Sequence, residues 1–161
     1  MADLTRPDIV IIGCGNSNRN DDGAGPKVIA LLRQRGVPGE VRLFDAGTDG
    51  MAVIYQARGA SHLIIVDACK PSGAPGSIYE VPGDVLAAPP KPGQGLHDFR
   101  WDHALYSGHR IYGEAFPSQV SVFLIEAASL DLGFELTPEV DHAVGLVAGQ
   151  IEARASGWLS A

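Results

Sequence analysis

Three short apolar runs constrain this chain more than any other feature. Ile9-Val10-Ile11-Ile12, Leu63-Ile64-Ile65-Val66 and Val120-Ser121-Val122-Phe123-Leu124-Ile125 are rich in β-branched residues and too short for helices. Runs of this length without strict in-out alternation read as strands buried on both faces. Such strands belong in parallel sheets, whose crossover connections place helices over both faces. Between the runs lie segments of helical pattern. From Pro26 to Arg35, Val28, Ile29 and Leu32 make an inward stripe, with proline suited to the first helical position. Val41 to Asp45 reads as a further strand and Met51 to Ala57 as a short helix. From Lys70 to Gly95 proline and glycine dominate, with only Ser77 to Val81 strand-like, which marks a functional loop or an edge excursion. His97 to Tyr106 fits a helix. A last helix opens at Thr137-Pro138 and keeps Val140, Val144, Val147 and Ile151 on one face. The expected fold is a three-layer α/β/α sandwich with a mostly parallel twisted sheet and room for one antiparallel edge strand. No repeat interrupts it, so residues 1–161 are expected to form a single domain.

Composition excludes several functions. The 161 residues carry a net charge of −7, which argues against nucleic acid or an anionic membrane as partner. No run approaches the roughly 20 apolar residues of a membrane span, and the first residues lack a signal-peptide core. The cytoplasm is therefore the expected compartment. Two cysteines, Cys14 and Cys69, are too few for a disulfide framework and lack metal-pair spacing.

In an open parallel sheet, sites form at the carboxyl ends of the strands. That edge is expected to receive Asn16, Asp21 and Asp22 after the first strand, then Asp45 and Thr48 after the second. Asp67 follows the third strand, and Glu126 the late one. Carboxylates converging on one rim repel one another unless a cation, a basic substrate or a raised pKa compensates. The turn Gly13-Cys14-Gly15-Asn16 suggests a nucleotide site, but Asn18 stands where the dinucleotide fingerprint requires a third glycine. Asp21-Asp22-Gly23 replaces the lysine and hydroxyl residue of a phosphate loop, and carboxylates there oppose a phosphate. Neither a G-x-S-x-G elbow nor an H-E-x-x-H helix occurs. His97, His103 and His109 are spaced six apart, about 600° of helical rotation, so one helix face does not unite them. What remains is two strand-end carboxylates plus one loop histidine, a donor set suited to nickel or zinc. Asp22, Asp67 and His97 form that trio, with His103 the rival histidine. Cys14, Cys69, Phe99 and Trp101 read as packing residues, and His109 and His142 as surface residues.

The run Gly13-Cys14-Gly15-Asn16, four residues, then Asp21-Asp22-Gly23-Ala24-Gly25 resembles the N-terminal signature of the [NiFe]-hydrogenase maturation proteases. Asp45-Ala46-Gly47-Thr48-Asp49-Gly50-Met51 is similar to that family's second loop, and His62-Leu63-Ile64-Ile65-Val66-Asp67-Ala68 to its third strand. His97 opens a segment like its metal-binding helix, and Leu136-Thr137-Pro138-Glu139-Val140 resembles the start of its last helix. The resemblance implies an endopeptidase that removes a short C-terminal peptide from the nickel-loaded hydrogenase large-subunit precursor. It implies catalytic roles for Asp22 and Asp67, nickel contacts by Asp22, Asp67 and His97, and substrate contacts by Asn16, Asp45, Gly47 and Thr48. The resemblance further implies that the nickel arrives with the substrate, with zinc or another divalent ion expected to be able to take the site in vitro. The competing expectations are a maturation chaperone without catalysis and, on the same fold, a nucleotide-binding or small-molecule hydrolase domain.

Overall fold

The computed structural model describes residues 6–82 and 101–161. Five strands form one sheet: β1 (Ile9–Cys14), β2 (Val41–Gly47), β3 (His62–Cys69), β4 (Ile78–Pro82) and β5 (Gln119–Glu126). Their spatial order is β2-β1-β3-β5-β4, and among the described residues only the β4–β5 pair at one edge is antiparallel. The parallel pairs start in register, Ile9 with both Val41 and His62, and His62 with Gln119. The four longer helices are α1 (Ala24–Arg35), α2 (Gly50–Ala57), α3 (Trp101–Tyr112) and α4 (Pro138–Ser160).

Each face of the sheet carries its own core, because every residue of β1 is buried and alternate side chains point opposite ways. Ile9, Ile11, Ile64, Val66, Phe123 and Ile125 pack under α1 and α4. Val10, Ile12, Leu63, Ile65 and Val122 pack under α2 and α3. The result is the expected α/β/α sandwich. Among the described residues no helix is long and apolar enough to cross a membrane.

Several boundaries differ from the sequence reading. Helix α1 begins at Ala24, so Pro26 is its third residue, because a short 3-10 turn over Asn20–Gly23 already sets the chain's direction. Strand β3 continues past Asp67 to Cys69, since Asp67, Ala68 and Cys69 still pair with Leu124, Ile125 and Glu126. Helix α3 runs six residues beyond Tyr106, burying Gly108 against the Phe116 ring. The expected start of that helix at His97 lies outside the described residues, as does Phe99.

Candidate functional site

The strand order reverses direction between β1 and β3: the chain leaves β1 through α1 towards β2, then returns through α2 to β3 on the other side. Crossovers on opposite faces open a crevice at the carboxyl ends of those strands. A cavity of about 530 Å³ occupies that place. Cys14, Gly15 and Asn16 line it from the end of β1, Gly47 and Thr48 from the end of β2, and Asp67 from β3. Asp22 and Arg19 enter from the turn before α1, Asp49, Gly50 and Val53 from the start of α2, and Trp101 and Leu130 close it.

Backbone geometry explains the glycines of the first loop. Gly15 has φ +131°, and a Cβ there would lie 1.9 Å from the carbonyl oxygen of Asp22. Only glycine lets the chain turn back so tightly. At Gly25 a Cβ would lie 2.3 Å from Cys14 O and 2.6 Å from Val66 O, so its absence lets α1 sit directly on β1 and β3. The loop after β2 is shaped differently. The pairing of β1 with β2 skips Ala46, matching Gly13 to Asp45 and then Cys14 to Gly47. Such a bulge re-aims the strand end. Gly15 N–H donates to Gly47 O at 2.8 Å, joining the two loops along one wall.

The acidic residues separate by what they accept. Asp21 is fully buried and faces away from the cavity: its carboxylate accepts from Ala128 N–H (2.8 Å), Ser129 N–H (3.0 Å), Thr137 N–H (2.7 Å) and the Thr137 hydroxyl. Thr137 stands at the N-cap position of α4 but gives its hydroxyl to Asp21 instead of capping the helix. Glu126, also fully buried, accepts from Ser72 Oγ and Ala74 N–H, both at 2.6 Å, and from the Tyr79 hydroxyl at 3.3 Å. The Ser72 hydroxyl, helped by the Ala74 amide, holds its carboxyl below the usual range. Asp45 is exposed, accepts from Gly47 N–H at 2.9 Å, and shapes the turn without lining the cavity. Asp49 caps α2 through Met51 N–H and Ala52 N–H.

Besides Asp49, two further carboxylates line the cavity among the described residues. Asp22 is 5% exposed and Asp67 1% exposed. Asp22 Oδ2 accepts from Asn16 N–H at 2.9 Å; it does not cap α1, whose N-cap is Gly23. Asn16 thus orients Asp22 through its backbone, while its Oδ1 accepts from Asn18 N–H. Asp67 Oδ1 accepts from Ala68 N–H at 2.8 Å. Of the two histidines weighed as ligands, His97 lies outside the described residues. His103 is half-buried on α3, its Nδ1 3.8 Å from Asp102 Oδ1, and is not among the cavity-lining residues. Among the described residues no three His, Cys, Asp or Glu side chains are close enough to hold a metal ion. Among the described residues, the carboxylates that line the cavity are Asp22, Asp49 and Asp67.

Several contributors escaped the sequence reading, among them Arg19, Asp49, Leu130 and Trp101. Arg19 and Asp49 sit inside quoted motifs, and their positions between Asn16 and Asp22 and after Thr48 were the available signal. Leu130 comes from the loop after β5, and Trp101, expected only to pack, forms part of the wall. Cys14 lines the floor, buried. Cys69 is half-buried; its burial first, then the charges of Glu126 and Asp67, push its thiol up, so it is a poor nucleophile.

A mainly parallel α/β/α sheet with two buried carboxylates at its switch point frames the candidate site. Comparison with known proteins adds the family. The family model for the hydrogenase maturation proteases matches residues 26–154, and the chain belongs to that family, a family of peptidases. It is 31% identical to the hydrogenase 2 maturation protease of Escherichia coli over 84% of this chain and 83% of that one. A match to the hydrogenase expression/formation protein HoxM of Azotobacter vinelandii is 38% identical but takes in only 40% of that protein. The structure of the E. coli hydrogenase maturating endopeptidase HybD superposes with a TM-score of 0.74 at 26% identity, covering 92% of this chain and 93% of that one. The [NiFe] hydrogenase maturation protease HybD of Thermococcus kodakarensis shares the fold, with a TM-score of 0.69 at 23% identity over 91% of this chain and 98% of that one.

Proposed function

We propose that this protein is the endopeptidase that removes a short C-terminal peptide from a nickel-loaded [NiFe]-hydrogenase large-subunit precursor. The observation that carries the reading is that Asp22, from the turn before α1, and Asp67, from β3, line one cavity in a chain of this family. Two carboxylates lining one cavity favour a positively charged group there. The precursor's nickel is that charge, so the metal belongs to the substrate and acts as its recognition signal. His97 completes the contact set. Asn16, Gly47 and Thr48 line the path of the scissile segment, while Asp45 keeps Gly47 in place from outside. Hydrolysis needs a water, and a group to take its proton within hydrogen-bond reach of the peptide carbonyl. One of the two carboxylates supplies that base.

The test mixes the purified protein with its cognate large-subunit precursor, nickel-loaded and nickel-free, and reads intact masses. Loss of a C-terminal peptide from the loaded form alone is the expected result. Cleavage of both forms would remove nickel recognition from the proposal. Cleavage of neither, with the loaded precursor still bound, would make the protein a chaperone.

A further inference from the structure

The loop that brings Leu130 to the cavity wall carries an apolar feature that hydrolysis does not require. Two and four residues beyond the cavity-lining Leu130 stand Leu132, 82% exposed, and Phe134, 78% exposed. These are the most exposed large hydrophobic side chains among the described residues. Met51, the residue after cavity-lining Gly50, is exposed as well.

The loop is held in place by the turn that carries Asp22. Asn20 N–H donates to Gly133 O and Gly133 N–H to Asn18 O, each at 2.9 Å. Arg19 Nε donates to Leu130 O at 3.1 Å, and the Asn20 amide to Ser129 Oγ at 3.3 Å. Asn20 adopts φ +43° to make these contacts, and a Cβ on Gly133 would meet its Oδ1 at 2.1 Å. The backbone that carries two large apolar side chains is therefore fixed in advance while those side chains remain in water. Ordering before contact lowers the entropy cost of association, and such preorganised anchors carry most of the energy of protein interfaces. A cavity of about 530 Å³ accommodates only a few residues of a polypeptide, so the body of any protein substrate must rest on its rim.

We propose that Leu132 and Phe134 form a docking shelf for an apolar patch on the folded body of the protein substrate, beside the segment that enters the cavity. The proposal rests on the peptidase reading above. It makes the shelf a determinant of substrate affinity and leaves the chemistry to the cavity.

The experiment compares the wild type with Leu132→Ser/Phe134→Ser, and with Leu146→Ser on α4 as a control exposed residue. Cleavage kinetics on the nickel-loaded cognate precursor are measured beside direct titration of that precursor. The double variant should raise KM and weaken binding about tenfold or more, with kcat within twofold. Leu146→Ser should behave as wild type. Unchanged KM and Kd in the double variant would overturn the shelf, as would an equal loss in Leu146→Ser or a loss confined to kcat. If the wild type binds the precursor without cutting it, the peptidase reading fails while the titration still decides the shelf. Melting curves check folding, and the two single variants, each expected to lose part of the affinity, replace the double variant if it melts early.

Discussion

Adjacent aspartates at the mouth of α1 are expected to respond to mutation in opposite ways. Asp21→Ala removes the acceptor for three backbone amides and one hydroxyl that together fix residues 128 to 137. Hydrogen bonds to a charged acceptor contribute about 1.5–3 kcal/mol each when nothing replaces them. Ala128 is exposed and Thr137 half-buried, so water recovers part of that loss, and a net cost of about 3 kcal/mol follows. For a chain of 161 residues this corresponds to a fall in Tm of roughly 6–12 °C. Asp22→Asn keeps the shape and the Asn16 N–H contact, so its Tm should stay within a few degrees while precursor cleavage is lost. Urea unfolding followed by circular dichroism gives the first quantity, and intact-mass cleavage the second. The reasoning is refuted if Asp21→Ala costs under 1 kcal/mol, or if Asp22→Asn keeps wild-type turnover.

Gly25→Ala should unfold the protein or cost at least ~3 kcal/mol, because its Cβ would overlap two backbone oxygens rather than a flexible side chain; a melting curve like wild type would contradict the close packing of α1. Glu126 should stabilise the fold in a pH-dependent way. Its folded pKa is depressed, so the contribution is complete above the ordinary glutamate value of about 4.3 and disappears as pH falls through the lower folded value. The Tm gap between wild type and Glu126→Gln should accordingly narrow on acidification below about pH 4.3, and a constant gap from pH 7 to 3 would exclude this role. Burial beside Trp158, whose ring centroid is 4.5 Å away, lowers the His62 pKa. Its NMR titration midpoint should fall below about 6.5, and a higher midpoint would count against the observed packing.

Sequence patterning was most informative where burial is two-sided. The runs at Ile9, Leu63 and Val120 became β1, β3 and β5 because such apolar density tolerates no other placement between two helical layers. Strand ends were less legible. Asp67 looked like the last residue of its strand because it is charged, yet pairing with β5 carries the ladder on to Cys69. The candidate site was read from the strand-end rule and the family motifs together, and the rule overcollected. It placed Asp21, Asp45 and Glu126 on the same rim as Asp22 and Asp67, since each follows a strand. Asp45 is taken by its neighbour Gly47, but Asp21 and Glu126 are turned from the cavity by backbone amides that arrive from far away in the chain, at Ala74, Ala128 and Thr137. No local pattern records those partners. Leu130 and Trp101 were hidden for the same reason.

The Asp21 staple also sets an order of events during synthesis. Its partners lie 107 to 116 residues downstream. Until residue 137 has left the ribosome, the turn bearing Asp22 has no loop to lean on and the cavity lacks the wall that includes Leu130. A nascent or truncated chain thus carries the signature residues without the assembled pocket. The cavity is assembled only once residues 128 to 137 have been made.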